Sequence, residues 1–99
     1  MSLPIRLLPE AQAEFDQATD WYEDRRPGLG AEFVAKIDKA FDRIASDPDR
    51  YLEVYMGVRK AIVPKYPYVV LYRAEEPDEV LVISVFHTSR NPEVWKARA

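Results

Sequence analysis

Tyr68-Val69-Val70-Leu71-Tyr72-Arg73 and Val80-Leu81-Val82-Ile83-Ser84-Val85-Phe86 decide the fold, because both are runs of β-branched and aromatic residues that fit a pleated, half-buried surface. Glu75-Glu76-Pro77-Asp78 separates them, and proline among acids cannot extend a ladder, so the pair reads as a hairpin. The second arm is apolar at both parities. Val80, Val82 and Phe86 fall on one face and Leu81, Ile83 and Val85 on the other, which predicts a central strand covered on both sides. It runs into His87-Thr88-Ser89-Arg90-Asn91-Pro92, a cluster of donors at the end of a strand, where a rigid scaffold holds side chains out.

Working back from the hairpin, the two prolines of Pro64-Lys65-Tyr66-Pro67 forbid ladder donation and fix the start of the next strand at Tyr68. Val58 to Val63 reads as a further strand, interrupted by Arg59-Lys60. Asp49 to Gly57 reads as a loop, and Tyr51, Leu52, Val54 and Tyr55 are expected to pack it partly against the core. Two helices precede it. Ala11, Phe15, Ala18 and Tyr22 form one apolar stripe, widened by Trp21, after a helix start at Pro9 with Glu10 and Glu14 near its N-terminus. Arg25-Arg26-Pro27-Gly28 ends it. Phe33, Ile37, Ala40, Phe41 and Ile44 form a second stripe, closed by Asp47-Pro48, since the residue before proline is pushed out of the α region. So short a connection implies an antiparallel helical hairpin lying on the sheet.

Ile5-Arg6-Leu7-Leu8 is a short strand candidate, and Pro92 opens a short terminal helix carrying Val94, Trp95 and Arg98. The expected fold class is α+β, in the order β-α-α-β-β-β with a short C-terminal helix: an N-terminal strand and a two-helix hairpin packed on a small, mainly antiparallel sheet, as one domain over residues 1–99.

Composition narrows the function classes. With 47% hydrophobic and 31% charged residues the chain is globular in type, and no run of eighteen apolar residues is present to span a membrane. The N-terminus lacks a secretory signal pattern, so a cytoplasmic location is expected. Zero cysteines and one histidine leave no thiolate metal site or disulfide framework, and no cofactor or metal is expected. A net charge of −3 argues against a generic nucleic-acid binder. The charge is divided, with −4 over residues 10–45 and +2 over residues 57–99, where four of the five acids sit in one turn.

Few candidate sites survive. The acids at 75, 76, 78 and 79 read as a solvated tip, and neither a Gly-rich phosphate loop nor a nucleophile elbow is present. His87 with Arg90 is the sharper signal, since an imidazole shuttles protons and a guanidinium grips a phosphate or carboxylate. The plainer alternative has His87 bonding backbone at the strand end and Arg90 pairing with an acid on the helices. Arg59, Arg73 and Arg98 extend a basic surface, and Trp95 reads more naturally as a lid over the sheet than as a stacking platform.

At these residues the chain resembles the RelE/ParE superfamily of type II toxin–antitoxin toxins, of the plasmid-stabilisation type. The resemblance rests on Leu8-Pro9-Glu10-Ala11, Asp47-Pro48, the Arg59 strand, Tyr66 to Arg73, and Val85 to Pro92 followed by Trp95, and it covers nearly the whole chain. It implies a compact toxin silenced by a co-expressed antitoxin; a homodimer and a heterotetramer with that antitoxin are both open as assemblies. ParE-like members are described as DNA gyrase inhibitors without a cut of their own; RelE-like members are ribosome-dependent mRNA endonucleases. Val69 stands where similar RelE-type strands carry an arginine, the chain is acidic with a pI near 5.1, and the helices are long, all of which lean to the ParE-like branch and away from an enzyme. On that branch Arg59, Arg73, Arg90, Trp95 and Arg98 are the expected target contacts. On the other, the protein is a metal-independent endoribonuclease acting on mRNA at the ribosome, with His87 as acid or base and Arg90 steadying the phosphate. A third reading is an inactive interaction module.

Overall fold

The two apolar arms pair antiparallel, Tyr68 against His87 and Arg73 against Leu81, and form the middle of a five-stranded sheet. In a computed structural model that describes residues 2–75 and 78–99, the elements are β1 (Ile5–Leu7), α1 (Pro9–Arg25), α2 (Leu29–Ser46), a 3₁₀ turn (Pro48–Arg50), β2 (Glu53–Tyr55), β3 (Val58–Ile62), β4 (Tyr68–Glu75), β5 (Glu79–His87) and α3 (Glu93–Lys96). The strand order is β1-β5-β4-β3-β2. Only β1 runs parallel to its neighbour, with Ile5 opposite Val80; the other pairs are antiparallel, so the expected α+β class with a mainly antiparallel sheet is what forms. Of the expected turn at 75–78, Glu76 and Pro77 lie outside the described residues. Among the described residues no helix is long and apolar enough to cross a membrane.

The helical hairpin is joined with few residues, and one side chain makes that possible. Glu23, near the end of α1, accepts hydrogen bonds from the backbone N–H groups of Gly28 and Gly30, which would otherwise be orphans at the start of α2. A Cβ on Gly30 would stand 2.9 Å from that carboxylate and 3.0 Å from the Thr19 carbonyl, so glycine is what lets the helices approach. Trp21 does not widen the buried stripe as expected. It is 52% exposed at the rim of α1, with the Arg25 guanidinium 4.2 Å above its ring.

Two sequence expectations are corrected by the ladder. The segment from Asp49 to Gly57 is not a loop throughout, because Glu53–Tyr55 pairs with β3 through a two-residue turn in which Met56 and Gly57 have φ of 43° and 81°. Both central residues at positive φ make the turn that matches strand twist, and a methionine in the first place hides it from sequence. In β5, Leu71 faces Ser84 but Tyr72 faces Val82, leaving Ile83 as an extra residue. This bulge reverses the parity. Val85 therefore joins Val80 and Val82 under the helices, and Phe86 joins Leu81 and Ile83 on the opposite face.

β5 is thus covered on both sides, as its composition requires. Phe33, Ile37, Ala40 and Ile44 of α2 with Ala11 and Ala18 of α1 bury one face; on the other, Trp95 of α3 covers Val58, Leu71, Leu81 and Ile83. Tyr72 is fully buried on the helix side and its hydroxyl donates to the Pro48 carbonyl. Burial pushes its phenol up to about 12. Because the folded pKa lies above the unfolded value, this contribution is complete below about pH 10 and is lost as pH rises through 10 toward 12. Tyr72→Phe is expected to cost about 1 to 2 kcal/mol in urea unfolding at neutral pH and to flatten the loss of stability above about pH 10.

Candidate functional site at the end of the central strand

His87 is the last residue of β5, opposite Tyr68, the first of β4, and the two rings meet edge to face at 5.1 Å. The chain then turns at once: the Thr88 N–H donates to the Pro67 carbonyl and the Arg90 N–H to the His87 carbonyl. The turn returns Ser89 over the imidazole, where its backbone N–H donates to Nδ1 at 3.1 Å and its Oγ lies 2.7 Å away. An amide N–H only donates, so Nδ1 accepts and the proton of the neutral ring sits on Nε2. His87 offers its surroundings a donor, and Nδ1 is already occupied.

Arg90 and Arg98 converge on a residue that sequence reasoning treated only as helix-terminus charge. Glu14 of α1, its side chain 10% exposed, accepts from Arg90 Nη1 at 2.9 Å, from Arg98 Nη1 and Nη2 at 2.9 and 3.2 Å, and from the buried Ser84 hydroxyl at 2.8 Å. Arg98 Nη1 also donates to the Ile83 carbonyl, on the edge of β5 left open where the β1 pairing stops at Val82. One carboxylate therefore ties α1, the bulge of β5 and the C-terminal segment together. The signal was available: Glu14 lies three residues after Ala11 and four before Ala18, beside a buried stripe where an acid needs partners.

The remaining expected contacts lie elsewhere. Arg73 faces Leu81, five residues along β4 from the Tyr68–His87 pair and so about 17 Å from it, and approaches Glu75 at 3.3 Å. Arg59 donates to the carbonyls of Tyr51 and Asp49 and so holds the 3₁₀ turn against the sheet. Trp95 is buried, edge-on to Tyr55 at 5.9 Å, as a lid over the second face. Arg90 and Arg98 are brought to the His87 end; Arg59, Arg73 and Trp95 are not.

Beside His87 a cleft of about 500 Å³ opens between α1 and the ends of β4 and β5. Glu14, Gln17, Trp21 and Tyr22 form its helical wall, Pro67, Tyr68 and Val85 the sheet side, and the small Ala18 leaves the room between them, with His87 and Arg90 at one end. Burial pushes the phenols of Tyr22 and Tyr68 upward, each further raised by a neighbouring tyrosine, so both hydroxyls stay protonated. The cleft joins aromatic surface to hydrogen-bond donors. Glu14→Ala would leave Arg98 and the buried Ser84 hydroxyl without their acceptor, and is expected to cost about 2 to 4 kcal/mol in urea unfolding, more than Arg98→Ala.

Residues 5–92 match a family model described as the ParE toxin of the type II toxin–antitoxin system parDE. The fold is similar to a chain of the chromosomal ParDE system from P. aeruginosa, with a TM-score of 0.75 and 16% identity over 87% of this chain and 96% of that one. It is also similar to a chain of the RelBE2 toxin–antitoxin complex from Mycobacterium tuberculosis, with a TM-score of 0.62 and 18% identity over 88% of this chain and 99% of that one. No curated protein matches in sequence. At such identities the two structures speak for the fold, whereas the family match spans most of the chain. The chain belongs to the ParE toxin family of type II toxin–antitoxin systems.

Proposed function

We propose that this toxin acts by binding rather than by cutting, with DNA gyrase as the target, and that a co-expressed antitoxin silences it. The observation that carries the reading is the hydrogen bonding of His87. With Nδ1 occupied by the Ser89 amide, the neutral ring presents Nε2–H and not a lone pair, which suits recognition of an acceptor better than removal of a proton. Arg90 and Arg98 share the Glu14 carboxylate, so of their two positive charges only one is left uncompensated for a phosphodiester transition state. The acidic balance of the chain points the same way, since docking on ribosomal RNA rewards clustered cations. An antitoxin partner is supported by both similar structures, which come from toxin–antitoxin systems.

For contact with the target we propose Arg90 first, because its side chain is 45% exposed at the cleft. Arg73 adds an outer contact on the sheet, Arg98 holds the Arg90 end in shape, and Arg59 and Trp95 brace the sheet away from it. The purified protein is expected to block gyrase supercoiling and to leave mRNA intact on translating ribosomes. His87→Ala should keep gyrase inhibition within about threefold of the parent, as expected for one hydrogen bond at an exposed site. Cleavage of mRNA on translating ribosomes that is lost in His87→Ala would retire the binding reading in favour of the ribonuclease one.

A further inference from the structure

We infer that the His87 cleft is a docking pocket for a protein segment that inserts one large apolar side chain and places an adjacent carboxylate on Arg90. This rests on the proposal that this end of the sheet binds rather than cuts, and it specifies the chemistry of what is bound.

Three observations carry it. The first is shape: α1 places Trp21 and Tyr22 one turn beyond Ala18, so two aromatic rings flank a depression whose far side is Tyr68. Trp21, 52% exposed, leaves much of its ring uncovered beside that depression, and burying it against an apolar anchor is favourable. The second is polarity. His87 presents Nε2–H, and only Nη1 of Arg90 is engaged by Glu14, so Nε and Nη2 have no protein partner among the described residues. This end of the cleft offers donors, and the Glu14 oxygens are already taken by Ser84, Arg90 and Arg98. A carboxylate completes such a set.

The third is charge, which chooses among anions. Of the six acids of α1 only Glu14 lines the cleft, where Arg90 and Arg98 already hold it, and the rest of that wall is Gln17, Ala18, Trp21 and Tyr22. A phosphodiester chain following the cleft would bring a charge at every nucleotide to a lining with one arginine, Arg90, while a single carboxylate beside an apolar anchor matches that one donor end. A peptide is therefore favoured over a nucleic-acid strand. The second apolar groove, beneath α3, lacks this distinction, being lined by Val54, Val69, Leu71, Phe86 and Trp95 with Lys60 at its edge.

The test is an NMR titration of the isotope-labelled full chain with acetyl-Trp-Glu-amide, acetyl-Trp-Gln-amide, acetyl-Gly-Glu-amide and adenosine monophosphate. Acetyl-Trp-Glu-amide is expected to move the Trp21 indole and His87 ring resonances saturably, and to bind about threefold to fivefold more tightly than the Gln and Gly analogues. Arg90→Gln should erase the difference between the Glu and Gln peptides. Trp21→Ala, at an exposed position that keeps the fold, should weaken both alike. Equal binding of the Glu and Gln peptides, tighter binding of adenosine monophosphate, or shifts confined to the groove beneath α3 would each overturn the inference. Gyrase inhibition with no peptide response removes this inference and leaves the proposed function standing; a peptide response without gyrase inhibition does the reverse.

Discussion

A strand that is apolar on both faces must be covered on both, and β5 imposes that requirement on the whole molecule. From Val80 to Phe86 every residue is buried, so no arrangement with one wet sheet face is open to it. The helical hairpin supplies one cover with the stripe of Phe33, Ile37, Ala40 and Ile44. The other cover is small: a four-residue helix whose Trp95 spreads across Val58, Leu71, Leu81 and Ile83. A large rigid aromatic is what allows so short a segment to close a sheet face.

Such a short cover needs fastening, and Glu14 provides it. Its carboxylate reaches past the open edge of β5 to Arg98, which in turn satisfies the Ile83 carbonyl left free where the β1 pairing stops. The ion pair is partly buried and both carboxylate oxygens are hydrogen-bonded, which helps attraction between the charges offset their desolvation. Because Arg90 joins the same carboxylate, the element that holds the C-terminal segment also sets the electrostatics of the cleft. Substitutions at Glu14 therefore act both on the fastening of the C-terminal segment and on the charge of the cleft.

His87 shows how backbone geometry decides side-chain chemistry. The tight turn after β5 aims the Ser89 amide at Nδ1, and the proton of the neutral ring is directed to Nε2 as a result. A histidine beside an arginine at a strand end is compatible with either acid–base chemistry or recognition when read as residue types. The hydrogen bond, not the residue pair, fixes which nitrogen of the neutral ring carries the proton.

The element types and their order were legible in the local pattern: helix stripes at Ala11–Tyr22 and Phe33–Ile44, proline stops before Tyr68 and after Asp47, and the doubly apolar arm that became the centre of the sheet. These features depend on neighbours within one or two turns of chain, which a sequence records directly. The bulge at Ile83, the two-residue turn at Met56-Gly57 and the exposure of Trp21 were decided elsewhere, by strand register and by how the hairpin seats on the sheet. Likewise, His87 and Arg90 were visible as a chemical pair, but the carboxylate that Arg90 meets lay more than seventy residues earlier. Pairings across such separations follow from packing, where each contact depends on the placement of all the others, and only the tertiary structure decides them.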